Sequence, residues 1–285
     1  MYHLRRLTLR KHLPNAYCQL HSPVYTCIVA SNKSRKKFLR LFIGASVIAA
    51  FCFIALLGYL WLQSRELSFE QYPEFGIEMP SSYEIHGIDV SKYQQNSSWT
   101  MVKEMQVKDI RIGFAFIKAT EGNNHTDSHF KRNWRRSKKA GITRGAYHFF
   151  IASKDGKTQA KNFINSVELE SGDLPPVLDV EQNNGTSAAR LRTEVKEWLD
   201  AVEEYYGVKP IIYTNVSFYE TYLQGYFDDY SLWVAHYFQP QKPRIEREWS
   251  FWQHSEEGRV NGIASKVDFN VFNGDSLDFR SLLLP

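Results

Sequence analysis

The chain has 285 residues, with 35 Lys plus Arg against 31 Asp plus Glu and 43% hydrophobic residues. Residues 1–62 hold nine of the basic residues and no acid, which leaves 26 basic and 31 acidic residues in 63–285, a net of −5. An acidic folded part excludes nucleic acid as a partner, because phosphate recognition needs basic charge on the folded surface. The apolar and aromatic content excludes intrinsic disorder.

The first element is a basic N-terminal segment, 1–40, that closes on SRKKFLR. Residues 41–62, LFIGASVIAAFCFIALLGYLWL, follow without a single charged group. At about 1.5 Å per residue they reach ~33 Å, enough for a bilayer's ~30 Å hydrocarbon core, and predict a transmembrane helix. The run is long for the ~7–15-residue apolar region of a cleaved signal peptide. Its positive N-terminal flank predicts a single-pass protein with a cytoplasmic N-terminus. The lipid bilayer is then a partner through 41–62, and 63–285 lies in the periplasm or outside the cell. Cys18, Cys27 and Cys52 all precede residue 63, so the exported part needs no disulfide.

Residues 63–84, polar and punctuated by Pro73, Gly76 and Pro80, read as a linker to a domain at 85–285. From there short apolar runs predict strands at 85–90, 112–118, 145–150, 177–181, 210–215, 232–236, 250–254 and 267–271. Helical patterns fall at 99–106, 128–140, 157–168 and 187–206, each between two strands. This alternation predicts an α/β fold, a modified, partly degenerate (β/α) barrel of TIM-barrel type preceded by one transmembrane helix. The connections 237–249 and 255–266 are too irregular for full helices.

Strand after strand ends in a polar group: Asp89, Lys118, Tyr147 and His148, Asp179 and Glu181, Tyr213, His236, Gln253 and Asp268. In a parallel barrel these ends converge on one face, where a site forms. In LDVE (178–181), Asp179 and Glu181 lie two residues apart on one strand face, with Cα atoms ~6.6 Å apart. Confining two carboxyls raises the cost of ionising both, which keeps one protonated. An acid beside an anion is the equipment for glycosidic cleavage. Trp233, Tyr237, Phe238, Trp252, Tyr147, Phe149 and Tyr213 sit at or beside strand ends, offering faces on which sugar rings stack; core packing is the competing reading for Trp252 and Phe149. There is no HExxH, metal-ligand cluster, GxSxG or P-loop, so neither a metal nor any cofactor is expected.

HGIDVSKYQ (86–94), FAFIKATEG (114–122), GAYHFF (145–150), PPVLDVE (175–181), PIIYTN (210–215), LWVAHY (232–237), FWQHS (251–255) and VDFNVFNG (267–274), in this order, resemble glycoside hydrolase family 25, the Chalaropsis-type lysozymes. The resemblance covers His86 to Gly274. It implies a modified (β/α) barrel and N-acetylmuramidase activity: hydrolysis of the β-1,4 bond between N-acetylmuramic acid and N-acetylglucosamine in peptidoglycan, whose glycan strands are the expected partner. The family's catalytic glutamate falls on Glu181, its partner aspartate on Asp179, and two further acids on Asp89 and Asp268. His254 and Ser265 depart from the common pattern, away from those four. The chitinase signature D-x-x-D-x-D-x-E is absent, since Val177 and Leu174 occupy its earlier positions.

The sequence therefore predicts a membrane-anchored, lysozyme-like glycosidase. Glu181 is the expected general acid/base and Asp179 the group assisting the substrate's acetamido group, with Asp89 and Asp268 in the site. Tyr147, Tyr213, Trp233, Tyr237 and Gln253 are the expected substrate-binding residues. A competing route has Asp89 or Asp268 activating water directly. The alternative function is a non-catalytic glycan-binding or scaffold module on an anchor.

Overall fold

The computed structural model describes residues 17–18, 27–28, 32–66, 69–239 and 241–285. Most of the basic segment 1–40 and residues 67–68 of the expected linker lie outside the described residues. The chain divides into two compact units, Met1–Gln63 and Ser64–Pro285. In the first, Tyr17–Cys18 pairs antiparallel with Cys27–Ile28. Helix α1 (Asn32–Glu66) carries the apolar run. Its stretch Arg35–Trp61 is long and apolar enough to cross a membrane, and its side chains are exposed throughout.

The second unit is a closed barrel of eight strands: β1 (His86–Val90), β2 (Ile110–Glu121), β3 (Thr143–Phe149), β4 (Val177–Asp179), β5 (Ile211–Asn215), β6 (Ser231–Ala235), β7 (Phe251–Gly258) and β8 (Val267–Phe272). From β1 to β7 each strand pairs in parallel with the next. β8 is the exception. It runs antiparallel to both β7 and β1 and so closes the ring. Helices α2 (Trp99–Glu104), α3 (Phe130–Lys139), α4 (Gly156–Ser166) and α5 (Ala188–Tyr206) fill the first four connections. Among the described residues no α-helix joins β6 to β7 or β7 to β8. The expected barrel is present, but the regular βα repeat of a TIM barrel stops after α5. A crossover to a parallel eighth strand needs a dozen or more residues, usually helical. The eight residues 259–266 between β7 and β8 are too few, and the chain turns back as a hairpin instead.

The expected linker is also different. Phe69–Tyr72 and Ile77–Pro80 form an antiparallel hairpin that belongs to the barrel unit. Tyr72, Phe75, Ile77 and Met79 are buried, Phe75 lies edge-on to Phe269 at 5.3 Å, and the Arg259 N–H donates to the Phe75 carbonyl at 2.8 Å. The strand alternation here is only a few residues long, and a polar composition masks it.

Inside the barrel the inward side chains change character along several of the strands. Phe114 and Phe116 precede Lys118, Val177 precedes Asp179, Ile211 precedes Tyr213 and Phe251 precedes Gln253, so an apolar lower layer carries a polar upper one. Two glycines make room for it: a Cβ on Gly87 would meet the Phe114 ring at 2.5 Å, and one on Gly145 the Phe116 ring at 2.6 Å. Phe279, on helix α6 (Ser276–Leu282), packs against Phe114 from below at 5.7 Å. The other strand faces pack outward against the helices. On α5, Leu191, Val195, Trp198, Leu199 and Val202 recur at helical spacing and are buried.

Candidate active site

The polar ends of the strands meet in a cleft of about 340 Å³. All nine residues expected from the sequence line it: Asp89, Tyr147, Asp179, Glu181, Tyr213, Trp233, Tyr237, Gln253 and Asp268. Ser91, Tyr93, Gln94, Lys118, Phe149 and Glu256 complete the lining. The reversed β8 is what brings Asp268 in. It stands second in its strand, and strand reversal places that start at the same end as the finishing residues of β1, directly opposite Asp89.

Asp89 is held by a chain of hydrogen bonds. Its Oδ2 accepts from Gln253 Nε2 and from Asn270 Nδ2, both at 2.8 Å. Trp233 Nε1 fixes Asn270 by donating to its Oδ1 at 2.7 Å. The Tyr213 and Tyr237 hydroxyls fix Gln253 by donating to its Oε1 at 2.8 and 2.7 Å. Sequence reasoning missed Asn270's part. It stands two residues after Asp268, on the same strand face, which is the one available clue.

Burial pushes the Asp89 carboxyl upward, opposed by its bonds from Asn270 and Gln253 and by a further one with Asp268. Asp268 is raised by burial and then by the Asp89 charge. Two facing carboxyls that share a hydrogen bond need one proton between them. Because Asp89 already accepts two N–H donors, that proton resides on Asp268.

Asp179 closes β4 and Glu181 follows it past the strand end. Burial raises Asp179 well above the usual carboxylate range, and the Glu181 charge adds to this. One Asp179 oxygen, Oδ1, is buried without a hydrogen-bond partner. Glu181 is less enclosed; burial raises it, Asp89 adds to this, and Lys118 opposes. Among the described residues, Lys118 is the one cation lining the cleft. Its ammonium donates to Glu121 Oε2 at 2.7 Å and lies 4.5 Å from the centre of the Phe149 ring. The arrangement offers protonated carboxyls and an anion in one partly enclosed space.

The aromatics divide by strand alternation. Tyr147 and Phe149 face the cleft, whereas His148 points outward, stacked on Trp198 at 5.7 Å and bonded to Thr120 at 2.7 Å. Trp252 is fully buried among Tyr83 and Trp249, so it is core. Trp233 is 2% exposed and stacked on Phe116 at 4.2 Å. It forms the floor and works through Asn270, offering little face to a sugar. Tyr147, Tyr213 and Tyr237 are all raised by burial and by the surrounding carboxylates, which keeps their hydroxyls protonated donors. Away from the cleft, Asp155, Glu194 and Glu197 bring carboxylate oxygens within 4.8 Å of one another where the start of α4 meets the middle of α5. Glu194 is already engaged there by the Gly156 N–H at 2.8 Å.

The model for glycosyl hydrolases family 25 matches residues 88–263. Uncharacterized protein YegX of Escherichia coli K12 is 50% identical over 200 residues, 70% of this chain and 74% of that protein. Lysozyme M1 of Streptomyces globisporus is 36% identical over 213 residues, 70% of this chain and 71% of that protein. Among solved structures, a family 25 glycosyl hydrolase from Bacillus anthracis superposes with a TM-score of 0.67 at 31% identity, covering 75% of this chain and 100% of that one. A lysozyme from Streptomyces coelicolor gives 0.63 at 34% identity, covering 71% and 98%.

Proposed function

The chain belongs to the family 25 glycosyl hydrolases, and on that premise we propose that it is a membrane-anchored muramidase cutting the β-1,4 bond after N-acetylmuramic acid in peptidoglycan. The observation that carries this reading is the pairing of Asp179 and Glu181 in one cleft, both raised in proton affinity and differently enclosed. Glu181, the more accessible acid, protonates the leaving glycosidic oxygen and then takes a proton from water. The acetamido carbonyl oxygen of the muramic residue attacks its own anomeric carbon. Asp179, which lines the cleft beside Glu181, holds the acetamido N–H during this step. Asp89 supplies negative charge toward the developing cation, with Asp268 beside it as its protonated hydrogen-bond partner. Tyr147 and Tyr237 border the sugar, while Tyr213, Trp233 and Gln253 set the position of Asp89.

The route predicts retention at the anomeric carbon. NMR of the first-formed product distinguishes it from direct attack by water activated at Asp89 or Asp268, which inverts. Glu181→Gln keeps shape and loses the proton, so turnover on purified peptidoglycan falls by about 10²–10⁴ with the fold retained. Turnover near wild type refutes the assignment, and a new reducing end on N-acetylglucosamine in place of N-acetylmuramic acid refutes the bond named.

For location, the exposed 27-residue stretch Arg35–Trp61, uncharged from Leu41 onward behind Arg35, Lys36, Lys37 and Arg40, supports an uncleaved anchor, with the barrel unit in the periplasm or outside the cell. Alkaline extraction of membranes tests it. A chain that is released, shortened at residue 62 or beyond, overturns the anchor and indicates a signal sequence.

A further inference from the structure

The loop after β6 holds a side chain that neither the core nor the network around Asp89 uses. Phe238 is 95% exposed, the highest value among the exposed large apolar side chains. Its backbone also sits in the left-handed region, at φ 57°. A bulky residue there is a genuine outlier, and glycine or asparagine would occupy the turn without that strain. Solvent exposure and strain at one aromatic residue both argue against a packing role, and strain of this kind clusters at ligand-binding sites.

The position is tied to the cleft by its neighbours. Tyr237 precedes Phe238, lines the cleft and donates to Gln253 on its floor at 2.7 Å. Gln239 follows and pins the turn, its Nε2 donating to the Tyr237 carbonyl at 3.0 Å. Its Oε1 is buried without a partner. The loop thus holds an exposed apolar ring one residue beyond a cleft-lining tyrosine, just past the end of β6. We propose that Phe238 is a rim subsite, stacking on the apolar face of an amino-sugar ring of the glycan strand beyond the rings held in the cleft. The assignment rests on the muramidase reading for the identity of the strand. A lipid surface would also accept an exposed phenyl ring. The sugar is favoured because the residue next to Phe238, Tyr237, lines a cleft of carboxylates, phenols and an amide, which suit a polyhydroxylated ligand and not an acyl chain.

The test is binding, so that it does not depend on turnover. Full-length protein in detergent carries Glu181→Gln throughout, and its affinity for long peptide-free glycan strands of peptidoglycan is measured with and without Phe238→Ala. Loss of one aromatic stacking contact is expected to weaken binding about tenfold. Phe238→Trp is expected to restore it. Phe238→Gly removes ring and strain together, so it weakens binding while thermal stability holds or rises, the opposite of what a packing role predicts. Equal affinity of the Ala variant and its parent overturns the subsite. So does a loss that appears only in binding to phospholipid vesicles and not to glycan. Failure of Glu181→Gln to reduce hydrolysis tells against the catalytic assignment alone and leaves the binding comparison standing.

Discussion

Gln253 is the joint of the cleft, and Gln253→Leu shows what it holds. The substitution conserves volume closely, so the main effect is the loss of three hydrogen bonds and not a cavity. The bond to Asp89 at 2.8 Å is charge-assisted when Asp89 is ionised and is worth about 2 kcal/mol. The Tyr213 hydroxyl, on a side chain 8% exposed, loses its acceptor without easy access to water, costing about 1 kcal/mol more. Tyr237 is only half-buried and regains water, so its bond adds little. The expected total is about 3 kcal/mol at pH 8, or a fall of roughly 6–12 °C in Tm for a domain of this size. The cost also depends on pH. Removing a donor raises the Asp89 carboxyl further in the folded state. A group raised on folding contributes stability below its unfolded value that is lost as pH rises through the folded one. Urea unfolding of the variant and the wild type at pH 4 and pH 8 therefore shows the larger gap at pH 8. Tyr213→Phe and Tyr237→Phe serve as partial deletions, with the first costing more. A total below about 1 kcal/mol at pH 8, or a gap that shrinks as pH rises, refutes the idea that Gln253 organises the charge on Asp89.

The remaining predictions concern its neighbours. Asp268 is raised in the folded state by burial and by Asp89, so its contribution is present below the ordinary carboxylate range and lost as pH rises through the raised value. Asp268→Asn removes that loss, so its Tm relative to wild type climbs between pH 5 and pH 9; a parallel pair of curves refutes the raised value. Phe75→Ala empties a fully buried position between the hairpin and Phe269 and should cost about 3–5 kcal/mol in urea unfolding. If residues 69–80 were merely a linker, the substitution would be silent. Gly145→Ala drives a methyl into the Phe116 ring and should cost about 1–3 kcal/mol, while Gly141→Ala, whose Cβ meets nothing, strains only its own φ of 74°.

The face that carries the site was legible because it obeys a local rule. Within most of the forward strands the inward residues run from apolar to polar, so Asp89, Asp179 and Gln253 mark one end without knowledge of the tertiary structure. Period two also separates Tyr147 from His148, which one strand end had presented together. What stayed hidden depends on contacts distant in sequence. Trp233 read as a sugar platform because exposure is not written in sequence; its floor position follows from Phe116, on a strand more than a hundred residues earlier. The hairpin at 69–80 was hidden because its apolar residues are few and find their partners on β7 and β8, at the far end of the chain.

Asp268 lines the cleft for a reason the alternation does not supply. Taken as a strand finish, VDFN would put Asp268 before two further inward positions, Asn270 and Phe272, and the polar-to-apolar order would run backwards. That inversion is itself the evidence of strand reversal. In a forward strand ending at the cleft the apolar inward residue comes first, as in FAFIK; in VDFNVF it comes last. The order Asp, Asn, Phe on one face therefore requires the strand to start at the cleft, and a strand starting there next to β1 must pair antiparallel with it. Antiparallel pairing sets Asp268 directly across from Asp89, where a forward eighth strand would have put Phe272 at that level, and the shared proton of the two acids follows from the reversal.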